Sequence, residues 1–114
     1  MSTYVQFDPN DIFLKLESAA EEMAEADEIA MRLEELKSVL MAEIAVAYRD
    51  GGKSLGEAEM RAKADPRYRT HIEGMCIARR KANRARAKYA DLKIWVEMKR
   101  TAESSARTMI TRGP

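Results

Sequence analysis

The fold is decided by the stretch MCIARRKANRARAKYADLKIWV, residues 75–96, in which six of the ten positions from 79 to 88 are basic. At about 100° per residue, its apolar side chains fall on one side of a helix, alternately three and four positions apart. They are Met75, Ala78, Ala82, Ala85, Tyr89, Leu92 and Val96. This is the spacing of the a and d positions of a coiled coil. It predicts a helix that packs a narrow apolar stripe against another helix.

Basic side chains edge this stripe on both sides. One edge carries Arg79, Arg86 and Lys93, the other carries Lys81, Arg84, Lys88 and Trp95, and Arg80 points further outward. An apolar stripe between cations is typical of a helix that docks an acidic helix or of one that follows an acidic polymer. The sequence leaves both readings open.

A second long helix is predicted from Pro9 to about Arg49, a range with no Gly and no further Pro. Asp8 is the expected N-cap and Pro9 the first helical residue. The apolar stripe of this helix keeps the same rhythm from Ile12 to Leu33 and then shifts by one position, a stutter. The shifted positions are Leu36, Leu40, Ile44 and Ala47. The basic helix has a similar predicted shift after Val96, to Trp95, Met98, Ala102, Ala106 and Met109.

The connection between the two long helices is short. The segment DGGK, residues 50–53, ends the first helix, with a Gly in the left-handed conformation. Ser54 and Glu57 form a capping box that opens a short helix through Ala64. Asp65 and Pro66 then begin the basic helix, which runs to about Ile110.

These elements predict an all-α fold, a long antiparallel helical hairpin with coiled-coil-like packing and a short helix at the turn. We expect a single helical domain over residues 1–114. Its parts are an N-terminal arm (1–8), an acidic helix (9–49), the turn and short helix (50–65), a basic helix (66–110) and a tail (111–114). Because 18 of the 114 residues are Ala, the stripes bury little apolar area, so we also predict a homo-oligomer.

The net charge of +1 conceals a strong charge asymmetry. Residues 1–50 carry 12 acidic and 4 basic side chains, whereas residues 51–114 carry 16 basic and 7 acidic ones. In a closed hairpin we expect Glu22, Asp27 and Glu34 to pair with the basic edges, through Lys81, Lys88, Arg86 or Arg79. An acidic outer face then remains at Glu17, Glu21, Glu28 and Glu35.

Residues suited to catalysis or metal binding are few. The lone His71 and the lone Cys76 lie about 140° apart on a helix, which is too far for a nucleophile–base pair. Two potential ligands do not make a zinc site. We therefore expect no catalytic residues, metal or cofactor. No leader sequence and no apolar run of about 18 residues is found, so we expect no membrane association and a cytoplasmic location.

Several features resemble the UvsY-type recombination mediators of T-even-like phages, over residues 30–113. The matching elements are Tyr48-Arg49-Asp50-Gly51 before a Ser-containing turn, Glu59-Met60-Arg61 shortly before Asp65, the aromatic pair Tyr89 and Trp95, and the C-terminal Ile110-Thr111-Arg112-Gly113. The resemblance implies a small helical protein that binds single-stranded DNA, forms rings and helps a recombinase to replace single-strand-binding protein. The chain is also similar to other short helical proteins of phage early regions, some of which inhibit host defence.

We therefore predict a non-enzymatic, phage-type accessory protein of DNA recombination or replication, located in the host cytoplasm, that assists a recombinase or annealing protein. It would bind single-stranded nucleic acid without sequence specificity, and the choice between DNA and RNA stays open. The predicted phosphate contacts are Arg80, Lys81, Arg84 and Lys88, and Trp95 is expected to stack on bases. The alternative is an oligomeric adaptor or inhibitor whose acidic face, Glu17, Glu21, Glu28 and Glu35, meets a basic protein.

Overall fold

The computed structural model describes the backbone of residues 9–111, of which 95% is helical. Three helices follow one another: α1 (Pro9–Asp50), α2 (Leu55–Ala64) and α3 (Pro66–Thr111). No strand occurs in this range, so the predicted all-α class is confirmed. The ends of the two long helices lie one residue beyond the predicted ones. The predicted arm, residues 1–8, and residues 112–114 of the predicted tail lie outside the described residues.

The end of α1 is a glycine-dependent turn, as predicted. Gly52 has a φ of 94°, a conformation that side chains with a Cβ rarely adopt. Its N–H donates to the Arg49 carbonyl at 2.9 Å, and the Lys53 N–H donates to the Tyr48 carbonyl at 3.2 Å. These two bonds define a Schellman motif, which satisfies carbonyls at the end of α1 that have no partner within the helix.

The short helix α2 begins and ends on side chains that the sequence identified. The Ser54 hydroxyl accepts a hydrogen bond from the Glu57 N–H at 3.3 Å, which confirms the predicted N-cap. Asp65 ends α2 and begins α3: its N–H donates to the Ala62 carbonyl, and its side chain accepts from the Arg67 N–H at 2.9 Å. One residue therefore caps two helices.

The chain divides into two compact units. The first unit joins the start of α1, as far as Met23, to the part of α3 from Arg84 onward. The second unit comprises Ala24–Asn83 and contains the end of α1, all of α2 and the start of α3.

In the second unit α1 and α3 pack in antiparallel directions around small side chains. Leu33 of α1 contacts His71, whereas Asp27, earlier in α1, reaches Arg79, later in α3. The core cluster consists of Ala30, Ala78 and Ala82, with Ala26 and Leu33 packed against it. Alanine at these positions allows close approach of the helices, and two alanines of α2, Ala58 and Ala62, are also fully buried.

In the first unit the buried apolar residues are Ile12 and Ala19 of α1 and Ala85 and Val96 of α3. An open groove of about 420 Å³ is lined by side chains of both helices, among them Leu14 and Leu92. Every predicted stripe residue of α3 from Ala85 to Val96 is buried or half-buried here. The coiled-coil spacing is therefore confirmed for this part of α3.

The predicted shift of the α1 stripe is correct in part, and that of the α3 stripe is wrong. In the second unit Ile44 is buried and Leu40 is half-buried, as predicted, but Leu36 and Ala47 are exposed, and Tyr48 is half-buried instead of Ala47. In the first unit the shifted residues Trp95, Met98, Ala102 and Ala106 are all exposed, and the side chain of Met109 lies outside the described ones. At this end of α1 the inward side includes Tyr48, whose hydroxyl donates to the Asp65 carboxylate near the turn.

Candidate functional site

Two predicted acidic partners in the second unit bind the same basic residue of α3. The Arg79 guanidinium lies 2.6 Å from a Glu34 carboxylate oxygen and 4.0 Å from one of Asp27. Arg79 is half-buried, and Glu34 is exposed. These contacts confirm that part of the basic run is neutralised by the chain's own acidic helix.

The first unit repeats this arrangement at Lys88. The Lys88 ammonium lies 3.2 Å from a Glu22 carboxylate oxygen, and both side chains are more than half exposed. This pair was also expected from the charge pattern. It means that Lys88, predicted as a phosphate contact, already has an anionic partner in the protein.

Three other predicted phosphate contacts have no such partner. Arg80 and Lys81 in the second unit and Arg84 in the first are exposed, and none forms an ion pair within residues 10–108. The sequence gives the reason, because no residue three or four positions from any of them is acidic. Their charges are consequently available to an external anion.

An open groove in the second unit lies beside Arg80, one of these three cations. It has a volume of about 520 Å³ and is lined by Glu34, Met75, Cys76, Arg79, Arg80 and Asn83. The groove combines apolar, amide and guanidinium groups. Its one acid, Glu34, is already bound by Arg79.

Trp95, the predicted stacking residue in the first unit, is 46% exposed. The Lys99 ammonium lies 5.8 Å from the centre of its ring, within the range of a cation–π contact. A base that stacks on Trp95 would therefore use the other face of the ring or displace Lys99.

The four residues of the predicted acidic face are all exposed. Glu28 binds Arg32 of the same helix at 2.7 Å. Glu17, Glu21 and Glu35 form no ion pair with any described side chain. Three of the four carboxylates are therefore open to an external cation.

We expect Glu34→Gln to release Arg79 from its shortest ion pair. Because both side chains are partly exposed, the unfolding free energy should fall by no more than about 1 kcal/mol in a denaturant titration. Oligonucleotide binding should rise or stay level, since a cation has been freed. The matched control is Glu35→Gln, which removes the same charge from a residue that forms no ion pair with any described side chain. A loss of binding in a folded Glu34→Gln variant would contradict competition between Glu34 and a nucleic acid for Arg79.

Sequence reasoning missed a polar cluster next to the turn in the second unit. Asp65, only 6% exposed, accepts a hydrogen bond from the Tyr48 hydroxyl at 2.9 Å. The Arg67 side chain donates to both Asp65 carboxylate oxygens, at 3.0 and 3.1 Å. The cluster thus ties the end of α1 to the start of α3. The sequence signal was the capping pair Asp65-Pro66, but spacing gave no indication of Tyr48 or Arg67.

The electrostatics of this cluster follow from its contacts. Hydrogen bonds from the Arg67 side chain and backbone hold the pKa of the Asp65 carboxyl well below its usual range. The same carboxylate raises the pKa of the Tyr48 hydroxyl, which donates to it, and the pKa of the Arg67 guanidinium. Each group therefore keeps its ordinary charge state at neutral pH. The arrangement suits a structural cluster that holds a fixed charge.

The other candidate groups for catalysis or metal binding, His71 and Cys76, lie in different environments. The His71 Nε2 donates to the Leu33 carbonyl at 2.7 Å, while Cys76 is exposed. Among the described residues no group of three or more His, Cys, Asp or Glu side chains is placed to hold a metal ion. No described helix is both long enough and apolar enough to cross a membrane.

Comparison with known proteins gave no match for this chain, whether against protein-family models, curated proteins or solved structures.

Proposed function

We propose that this protein binds single-stranded nucleic acid through Arg80, Lys81 and Arg84 of α3, without sequence specificity and without catalysis. The proposed role, which the resemblance to UvsY-type mediators suggests, is that of a phage-type accessory protein that assists a recombinase or annealing protein.

The observation that carries this proposal is the contrast between two sets of cations on α3. Arg79 and Lys88 are neutralised by acids of α1, whereas Arg80, Lys81 and Arg84 are exposed and form no ion pair among the described residues. A cation without a protein partner binds phosphate at little electrostatic cost, and release of condensed counterions from the strand drives the association. Phosphate contacts of this kind carry no base information, so we expect similar affinity for different sequences.

Trp95 would add a contact of a different kind. Its ring is 46% exposed, and base–aromatic stacking tolerates any base. This contact does not neutralise a phosphate, so its contribution is expected to be independent of salt.

A second candidate function rests on the acidic face. Because Glu17, Glu21 and Glu35 form no ion pair with described residues, the protein offers a surface for a basic protein partner. This would make it an adaptor or an inhibitor of a host protein. The two candidates differ in the charge of the ligand, so one binding experiment separates them.

We expect the affinity for a fluorescently labelled oligothymidylate to fall with salt at a log–log slope of about −2 per protomer. The value follows from three phosphate contacts at about −0.7 each. Fluorescence anisotropy between about 50 and 200 mM NaCl measures it, and a duplex and a mixed-sequence strand serve as comparisons. Absence of binding at about 50 mM salt would contradict the proposal and favour the acidic-face candidate.

A further inference from the structure

A second apolar stripe runs along α1 in the second unit. It consists of Ile29, Leu36, Val39 and Val46, each between 45% and 56% exposed. With Arg32 and Glu43 between them, these residues follow one another alternately three and four positions apart. This is again the a and d spacing of a coiled coil, sustained over about 26 Å of helix.

This stripe is distinct from the one that α1 buries within the unit. The buried stripe is formed by Ala30, Leu33 and Ile44. At about 100° per residue, the exposed stripe lies roughly a third of a turn away around the helix. No described part of the unit covers it, since its four apolar residues stay about half exposed.

The stripe is complementary to the same stripe of a second copy that runs in the opposite direction. If two copies of α1 lie antiparallel about a two-fold axis between residues 37 and 38, Leu36 of each copy faces Val39 of the other. Ile29 then faces Val46. Arg32, the stripe's basic residue, faces Glu43, its acidic residue. In each of these layers an a position of one copy meets a d position of the other, as in an antiparallel coiled coil. Because the two-fold axis repeats every contact, each of them occurs twice.

Other arrangements of two copies lack this match. A parallel pair places Arg32 against Arg32 and Glu43 against Glu43, which is repulsive. Sliding an antiparallel pair by one heptad places Val39 against Glu43, or Leu36 against Arg32. The charges therefore select one direction and one register.

The residues beside the stripe favour the same register. It brings Glu28 of one copy next to Arg49 of the other, at flanking positions where charges determine pairing. Glu43 and Arg49 are exposed and form no ion pair within the described part of the chain. Glu28 and Arg32, which pair with each other at 2.7 Å in the single chain, are both about two-thirds exposed and are free to reorient.

We propose that the exposed stripe of α1, from Ile29 to Val46, is the interface of a two-fold symmetric homodimer, with α1 antiparallel to its copy and Arg32 paired with Glu43 of the partner. The proposal does not depend on nucleic-acid binding. Because the contact spans fewer than three heptads, its area is at the low end for specific interfaces, and we expect a dissociation constant of about 1–100 µM.

Charge reversal tests both the interface and its register. In sedimentation equilibrium at about 200 µM, the wild type should have a weight-average mass between about 1.6 and about 2 times the protomer mass of 12.9 kDa, depending on where the dissociation constant lies in the expected range. Arg32→Glu or Glu43→Arg alone places like charges in two symmetric layers and should raise the dissociation constant at least about tenfold. The double variant restores both pairs and should return it to within about threefold of the wild type.

The same sedimentation measurement provides the control and the outcomes that would contradict the proposal. Lys63→Glu makes a charge reversal of the same size on an exposed residue of α2 that forms no ion pair with a described side chain, and it should leave the dimer intact. Circular dichroism checks that each variant keeps its helicity. The interface is wrong if the folded single variants associate like the wild type, or if the wild type is a 12.9 kDa species at about 200 µM. The register is wrong if both single variants dissociate but the folded double variant does not recover.

Discussion

Asp65→Ala is expected to lower the thermal midpoint of unfolding by about 5–10 °C. The substitution removes the side-chain cap of α3 and leaves the Tyr48 hydroxyl and the Arg67 guanidinium without their shared acceptor. Differential scanning calorimetry measures the effect. The control is Asp50→Ala, which deletes an exposed acid at the end of α1 and should change the midpoint by no more than about 2 °C.

Two further variants separate the parts of this effect. Asp65→Asn keeps a capping oxygen but loses the charge, so its midpoint should lie between those of the wild type and Asp65→Ala. In a Tyr48→Phe background, the loss caused by Asp65→Ala should be smaller, because the two residues share a hydrogen bond. Equal losses in both backgrounds would show that the contact between Tyr48 and Asp65 does not contribute to stability.

The same carboxylate determines part of the acid sensitivity. Its pKa is lowered in the folded state, so below the ordinary Asp pKa of about 3.9 the unfolded chain binds the proton first. The stability from ionised Asp65 is therefore fully present above about pH 5 and is lost as the pH falls toward the lowered folded pKa. Denaturation of Asp65→Asn between about pH 5 and 2 should show a shallower loss of stability than the wild type.

Much of the fold was predictable because the signals are local. Helix ends are marked by Pro9, Gly52, Ser54 and Asp65, whose backbone or capping properties act within a few residues. The buried alanines of α3 follow from a strict repeat that has a single packing solution. The pairing of acidic with basic residues followed from opposite charges on two helices joined by a short turn.

The parts that were not predictable depend on competition between faces of one helix. Near Leu36, α1 carries two apolar stripes, and the sequence reading merged them into a single stripe with a stutter. The polar contact of Tyr48 with Asp65 lies on the same side of α1 as the buried stripe, and it joins residues 17 positions apart. Spacing within a helix carries no information about such a contact. The exposed stripe that contains Ile29 and Leu36 was not predicted for the same reason, because spacing alone does not show which of two apolar stripes is buried.

The candidate nucleic-acid residues were found from composition, but composition did not separate paired from unpaired cations. Lys88 and Arg84 look equivalent in the sequence, being one helical turn apart in the same basic run. Only the contacts distinguish them, because Glu22 reaches Lys88 whereas no described acid reaches Arg84. The distinction reduces the expected phosphate contacts on this helix from four to three.

Replacing Arg80, Lys81 and Arg84 together by Ala is expected to weaken binding of oligothymidylate by about 10²–10³-fold at 50 mM salt. Each phosphate contact contributes about eightfold through counterion release at that concentration. The salt slope should also change from about −2 to near zero, because its magnitude is proportional to the number of phosphate contacts. Because all three side chains are exposed, helicity and the unfolding midpoint should stay close to the wild type.

The control replaces Lys15, Lys37 and Lys63 together by Ala. It has the same net charge, and the three lysines are likewise exposed and form no ion pair among the described residues. If net charge alone attracts the strand, both triple variants lose affinity equally, and the assignment to α3 is wrong. If α3 provides the contacts, the control loses less than about threefold. Trp95→Ala gives an independent comparison: loss of stacking should cost roughly 1–3 kcal/mol while the salt slope stays unchanged, because no phosphate contact is removed.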